Sequence, residues 1–315
     1  MRSGPLPLVA VVTVSAMVCC LAAQTPPAAT PAPRVTGYIQ PRFESVGDSA
    51  LFFLRRARIA VQGDITPWAS YRVQVELRNL GTTGTPATVT GTDLYIALQG
   101  GHWSGLVGQF KVPFSLEALL GSSTLELADR SIVVGDLAPN RDIGAAAEWR
   151  PDRVLSVRLG VFNGEGPNHA SNPDRKMLVV GRAVLAPTAS VELGGAAAGY
   201  PDSTWIDADV SARRGPWTLR SEYLRRDSFA AHDRLEGWYA LGAYRLPHEP
   251  VQVIGRVEQI DSTRIRRDRV TGYTAGAQYL FKGDDLKLQA SYAIFVEERA
   301  AVSNNRILVQ MQVRW

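Results

Sequence analysis

Residues Arg306 to Trp315 alternate polar and apolar with a single interruption at Leu308 and close on an aromatic. Ile307, Val309, Met311, Val313 and Trp315 share one face, and Arg306, Gln310, Gln312 and Arg314 share the other. A period of two is the geometry of a strand. Such a strand with an aliphatic outer face and a polar inner one suits lipid on one side and water on the other. No stretch after residue 34 supplies the roughly 20 consecutive apolar residues that a spanning helix needs, and the mean hydropathy of the chain is near zero. If the chain sits in a bilayer it must be a closed barrel, because an open sheet would leave edge N–H and C=O groups unpaired in lipid.

The N-terminus places the chain outside the cytoplasm. Arg2 precedes an apolar run from Leu6 that ends in small residues at Ala22 and Ala23, the pattern of a secretory signal. A retained anchor fits less well, since the run is short and no basic stop-transfer cluster follows. The only cysteines, Cys19 and Cys20, lie in this segment, so disulfides and thiolate chemistry drop out of the mature chain. Residues 24–33 read as a stiff Pro-rich tether. The expected organisation is a signal peptide at 1–23, the tether at 24–33 and a transmembrane β-barrel domain at 34–315.

Period-two segments bounded by turn residues recur along that domain. They fall at 34–45, 51–63, 69–80, 92–100, 103–112, 141–150, 153–162, 176–186, 190–200, 204–213, 216–226, 235–246, 251–260, 270–281, 285–297 and 305–315. The pattern predicts an all-β antiparallel barrel of about 16 strands, a size that leaves an aqueous channel. Alternate links are tight, as at Asp64 to Trp68, Gly100 to His102, Arg150 to Arg153 and Arg214 to Pro216. The intervening links tend to be longer and polar, as at 81–91, 163–175, 227–234, 261–269 and 298–304, with two short exceptions at Val46 to Ala50 and Pro201 to Ser203. Short periplasmic turns and longer outer loops have this arrangement, and a soluble sandwich has no reason for it.

Parity assigns the faces. Arg34, Thr36, Tyr38, Gln40, Arg42 and Glu44 fall together; Arg56, Arg58 and Gln62 oppose Ala57, Ile59 and Val61; Arg72, Gln74, Glu76 and Arg78 oppose Tyr71, Val73, Val75 and Leu77. Three consecutive strands thus present a basic wall, joined by Lys111 and, further round, by Arg158, Arg182, Arg220 and Arg256. Of the 34 basic residues only 4 are lysine, so the lumen charge is guanidinium. Arginine stays charged and offers forked donors that match phosphate and carboxylate oxygens. Arg–Glu struts are the plain alternative, with Arg56 and Arg58 both leaning on Glu76.

Phe52 to Asp64 with Tyr71 to Leu77 resembles the opening hairpin of the phosphate-selective porin O and P family. Gly108 to Glu117, Gly121 to Glu126, Asp129-Arg130 and Leu137 to Gly144 resemble the strand, loop and return strand that follow it there. The resemblance implies a sixteen-stranded trimeric channel in the outer membrane of a Gram-negative-type bacterium, with the loop after the fifth strand narrowing the pore. Together with Arg130 and Arg141 from these segments, Arg42, Arg56, Arg58, Arg72, Arg78 and Lys111 are the candidate anion pathway. The expected partners are small anions such as phosphate or polyphosphate, outer-membrane lipid and two further copies of the chain, with no nucleic acid. The loop itself, Pro113 to Asn140, carries Glu117, Glu126, Asp129 and Asp136 against Arg130, which points to a modest anion preference. Its leucines and valines need cover, and folding inward against the wall would supply it.

Enzyme readings are thin. His102, His169, His232 and His248 stand in links, without metal-ligand spacing, and the chain has no nucleophile elbow or phosphate-cradling loop. No catalytic residue, cofactor or metal site is expected. A rim hydrolase using His232 and Asp233, a sealed structural barrel and a general non-selective porin are the alternatives.

Overall fold

A computed structural model describes residues 31–78, 86–229, 231–262, 269–299 and 304–315. The expected signal segment 1–23, most of the tether and parts of the expected outer loops at 81–91, 261–269 and 298–304 lie outside the described residues. The strands are β1 (Arg34–Val46), β2 (Ser49–Thr66), β3 (Ala69–Arg78), β4 (Thr88–Gly100), β5 (Trp103–Lys111), β6 (Arg141–Trp149), β7 (Leu155–Phe162), β8 (Leu178–Thr188), β9 (Val191–Tyr200), β10 (Ser203–Arg214), β11 (Trp217–Ser228), β12 (Asp233–Arg245), β13 (Val251–Ser262), β14 (Arg269–Asp284), β15 (Leu286–Glu297) and β16 (Arg306–Arg314). Each pairs antiparallel with its sequence neighbours, and β1 pairs with β16 to close the barrel. Two short helices, α1 (Leu116–Leu119) and α2 (Ile132–Leu137), lie between β5 and β6.

The alternation in the sequence becomes an inside-out distribution of polarity. Ile59, Val73, Ile96, Leu159, Val179, Leu219 and Ile307 are exposed on the outer face, whereas Gln40, Arg42, Glu222, Glu258, Lys287 and Gln310 are buried. A water-soluble protein does the reverse; lipid outside and hydrogen-bonding partners inside account for both. Exposed Trp68, Trp103, Trp149, Trp217 and Trp315 gather at the end with the tight turns, and Phe52, Tyr223, Trp238, Tyr273 and Tyr292 lie toward the other, as interfacial aromatic belts do. The links Gly101-His102 and Gly215-Pro216 are tight because Gly101 and Gly215 take left-handed backbone, each with φ 57°, where a side chain would be strained.

The seam rests on a second glycine property. Gly37 N–H donates to Trp315 O at 3.1 Å and Trp315 N–H donates to Gly37 O at 3.0 Å. A Cβ on Gly37 would stand 2.6 Å from both the Trp315 ring and the Arg58 carbonyl, so the indole packs there because residue 37 has no side chain.

Strand ends differ from the sequence expectation by a few residues, for local reasons. β7 begins at Leu155 instead of 153 because Asp152 Oδ1 accepts from Val154 N–H (2.8 Å) and Leu155 N–H (2.9 Å). β8 begins at Leu178 instead of 176, after Asp174 Oδ1 accepts from Lys176 N–H at 2.9 Å. Such turns compete with the ladder for backbone donors. β2 runs on to Thr66 because its ladder with β3 continues through Asp64↔Ser70 and Thr66↔Ala69. One bulge changes the side-chain count on the inner face: the register steps from Gln40↔Arg56 to Pro41↔Leu54. Proline has no N–H to give the ladder, and Arg55 is the extra residue opposite it.

Candidate functional site

The connection between β5 and β6 is held against side chains on the inner face. Its first contact is an anchored helix start. Ser115, with φ 62°, caps α1, and its Oγ donates to Glu222 Oε2 at 2.6 Å. Leu116 N–H (3.0 Å), Glu117 N–H (2.7 Å) and Tyr239 Oη (2.6 Å) donate to the same carboxylate. A wall carboxylate from β11 thus satisfies the free N–H groups of α1, a favourable place for negative charge. Glu258 on β13 does the same for α2, accepting from Ile132 N–H at 2.8 Å, and Glu117 accepts from Ser131 N–H at 2.8 Å.

Apolar packing completes the attachment. Val133, Val134 and Leu137 of α2 are buried in one cluster with Leu224, Leu235 and Ile260 of β11 to β13. Gly237 on β12 leaves room for Val133, whose methyls lie 3.0 Å from where a Cβ would be. The middle of the loop is tied further round. Glu126 takes a forked pair from Arg220 at 3.2 and 3.0 Å, Lys287 Nζ donates to Leu125 O at 2.9 Å, and Gln312 donates to Ser123 O at 3.0 Å. Asp129 receives both Arg42 Nη atoms at 2.9 Å, with Arg306 at 3.3 Å and Arg55 at 3.8 Å. Burial pushes the Asp129 carboxyl up, but Arg42, Arg306 and Arg55 outweigh it and hold the group well below the usual carboxylate range. Glu117 lacks such compensation. Burial drives it up to about 7, with Arg256 opposing and Glu222 adding to the rise.

The loop is therefore fastened along β11 to β16 and β1, and the space it leaves faces β2 to β7. There a cavity of ≈ 770 Å³ is lined by the basic groups Arg42, Arg55, Arg56, Arg58, Arg78, Lys111, Arg130, Arg141 and Arg306, and by the acidic groups Glu44, Glu76, Asp129 and Asp136. Nine basic groups against four acidic ones give the lining an excess of basic side chains. A second cavity of ≈ 330 Å³ lies toward the tight-turn end, and the two share Arg58, Lys111, Ser122 and Arg141. Those four residues mark the neck between them.

Of the eight candidate residues, seven line the larger cavity, and Arg72 lines the smaller. Their partners divide them. Arg42 is buried and committed to Asp129, Glu44 and Gln310, so it is a fastening for the loop more than an open charge. Arg58 pairs with Glu76 at 3.1 Å and Arg141 with Asp93 at 2.7 Å. Arg72 donates to Gln62 and lies 3.9 Å from Asp93. Arg56 does not lean on Glu76: it donates to Gln40 Oε1 at 3.0 Å and has no carboxylate within ion-pair distance among the described residues. Arg78 is the most exposed. Lys111 Nζ donates to Leu119 O (3.0 Å) and Leu120 O (2.6 Å), and Arg130 to Glu117 O (3.0 Å) and Leu120 O (2.6 Å). These two side chains close the C-terminal end of α1 at the neck.

Parity counting missed Arg55, which the bulge opposite Pro41 turns toward the cavity. Two successive arginines cannot both obey a period of two, but the proline that offsets them lies on the adjacent strand and is not beside them in sequence. The four acidic groups of the loop also stand differently from their bare count. Glu117 and Glu126 are engaged in docking, and only Asp129 and Asp136 line the larger cavity.

A model of the phosphate-selective porin O and P family matches residues 37–214, more than half of the chain. No curated protein sequence matches significantly. Among solved structures, the outer membrane channel DcaP of Acinetobacter baumannii superposes with a TM-score of 0.69 at 9% identity, covering 90% of this chain and 97% of its own. The anion-selective porin from Comamonas acidovorans gives 0.68 at 10% identity, covering 90% and 99%. The trimer form of OmpT from Vibrio cholerae gives 0.64 at 10%, also covering 90% and 99%. At these identities the superpositions establish the fold.

Proposed function

The chain belongs to the phosphate-selective porin O and P family and is an outer-membrane channel of bacteria, not an enzyme; on that premise we propose that it passes small anions, phosphate and polyphosphate among them, past an arginine-lined neck. The carrying observation is the lining of the larger cavity, nine basic groups against four acidic ones. A lumen of one sign concentrates counter-ions and lowers the barrier to their passage. In this reading the β5–β6 loop is the constriction, Arg56, Arg58, Lys111, Arg130 and Arg141 supply the field at the neck, and Arg72 and Arg78 extend it on either side. Residues 1–23 are a signal removed on export, residues 24–33 a tether, and the working unit a homotrimer in outer-membrane lipid.

A planar-bilayer measurement tests this directly. Under a potassium chloride gradient, the reversal potential should report chloride as the more permeant ion at low salt; a cation-preferring potential would overturn the anion reading. Light scattering of detergent-solubilised protein should give three chain masses, and a mass near one chain would remove the trimer. A general porin without phosphate specificity is the second reading, favoured by the pairing of Arg58 with Glu76 and Arg141 with Asp93, which neutralises part of the neck. Phosphate that blocks chloride current at low concentration decides for specificity, and phosphate that merely adds to the current decides for the general porin.

A further inference from the structure

The smaller cavity differs in kind from the larger one. On its wall β2 and β3 contribute Arg58 and Arg72, β4 and β5 contribute Asp93, Tyr95 and Leu106, and β6 and β7 contribute Arg141 and Arg158, with Asp93 held by Arg141 at 2.7 Å and facing Arg72 at 3.9 Å. An aromatic and aliphatic strip thus runs between two columns of guanidinium. Strands lie about 4.8 Å apart, so an apolar body roughly 5 Å across, seated over β4, has a cation within reach on either side. Arg72 and Arg158 retain accessible surface, with side-chain exposures of 25% and 32%. Tyr95 is fixed edge-on against Phe110, ring centroids 6.2 Å apart. It therefore offers a preset surface that a ligand need not order.

Inorganic phosphate uses none of this strip, because a small hydrated tetrahedron gains nothing from an apolar wall. An anion with a flat apolar body uses both features, since ring stacking and ring burial act together with the guanidinium pair. We propose that this vestibule, on the tight-turn side of the neck, is a binding station for aryl carboxylates, which the channel admits alongside inorganic anions. The proposal deepens the anion-channel reading and rests on it.

Benzoate and acetate separate the two, because both are fully ionised at neutral pH and differ by the ring alone. In a planar bilayer, chloride current is recorded first and each carboxylate is then added from the vestibule side. Benzoate should reduce the current at a concentration about tenfold below that of acetate, the factor that covering one ring face gives at ordinary apolar transfer strength. Tyr95→Ala combined with Leu106→Ser should bring the two carboxylates together, while Tyr95→Phe, which keeps the ring, should keep them apart. Equal block by benzoate and acetate in a channel that carries chloride overturns the station and leaves the channel reading standing. A benzoate advantage that survives the double substitution overturns it too. Absence of any chloride current overturns the channel reading, and the station with it.

Discussion

The two halves of the barrel wall use the same residue types for opposite purposes. From β11 round to β1, arginines, glutamates and glutamines on the inner face are spent on the loop: Arg220 on Glu126, Arg42 on Asp129, Glu222 on the start of α1. From β2 to β7 the same kinds of side chain face open space and pair with one another, as Arg58 does with Glu76. A charge count over the whole lumen cannot tell these halves apart. What separates them is where α2 packs, against Leu224, Leu235 and Ile260 of β11 to β13, because the loop's position sets which arginines it covers.

The sharpest way to break the comparison is to remove the loop. Deleting Gly121 to Val134 takes away the contacts to Arg220, Lys287 and Arg42, and single-channel conductance should rise severalfold, with larger solutes admitted in swelling assays. Unchanged conductance in a folded barrel would show that the fastened half does not narrow the pore.

Next in size is Glu222→Ala. Four donors lose one buried carboxylate, at a cost on the order of 3 kcal/mol for charge-assisted bonds left unmade. Fluctuating, higher conductance is expected while the barrel still migrates as a heat-modifiable species in gels. A quiet channel of ordinary conductance would mean that apolar packing alone holds α1.

The open half is probed by Arg56→Gln with Arg58→Gln. A charge within a few ångströms of a passing ion acts with about 1 kcal/mol in water, so the chloride-to-potassium permeability ratio should fall severalfold while folding persists. Loss of the folded barrel with unchanged selectivity would make both residues struts. Screening gives a companion test: anion preference should fade as salt approaches molar, where the Debye length is about 3 Å.

The smallest expected effect is a pH dependence of loop attachment. Glu117 sits at about 7 when docked and near the ordinary carboxyl value when released. The docked state therefore holds the extra proton. Its stabilisation is complete below the ordinary value and is lost as pH rises through about 7. Open-channel noise should grow between pH 5 and pH 8, and Glu117→Gln should flatten that slope; a slope unchanged by the substitution would exclude Glu117 as its source.

Much of this architecture was legible because period two is local. Runs such as Arg72 to Arg78 declare a strand and its faces without any knowledge of neighbours, and Gly215-Pro216 declares its own turn. The bulge at Arg55 required pairing information, since the cause, Pro41, lies on the adjacent strand. Partner choice was the least legible layer. That Arg42 would be spent on Asp129 and Arg56 on Gln40 depends on contacts between residues 87 and 16 positions apart, and the loop carboxylates read as pore charges until their partners across the barrel were known.

Asp129 has a consequence for assembly. Its arginine partners come from β1, β2 and β16, so a single side chain from the middle of the chain spans the seam between the first and last strands. Closing that seam brings together residues far apart in sequence, the slowest kind of contact to make. Until β16 arrives beside β1, Arg306 is missing from the cluster that binds Asp129, and the loop lacks part of its hold. Arrival of the last strand thus adds Arg306 to the hold on the loop, and an incompletely zipped barrel carries a loosened loop as its signature.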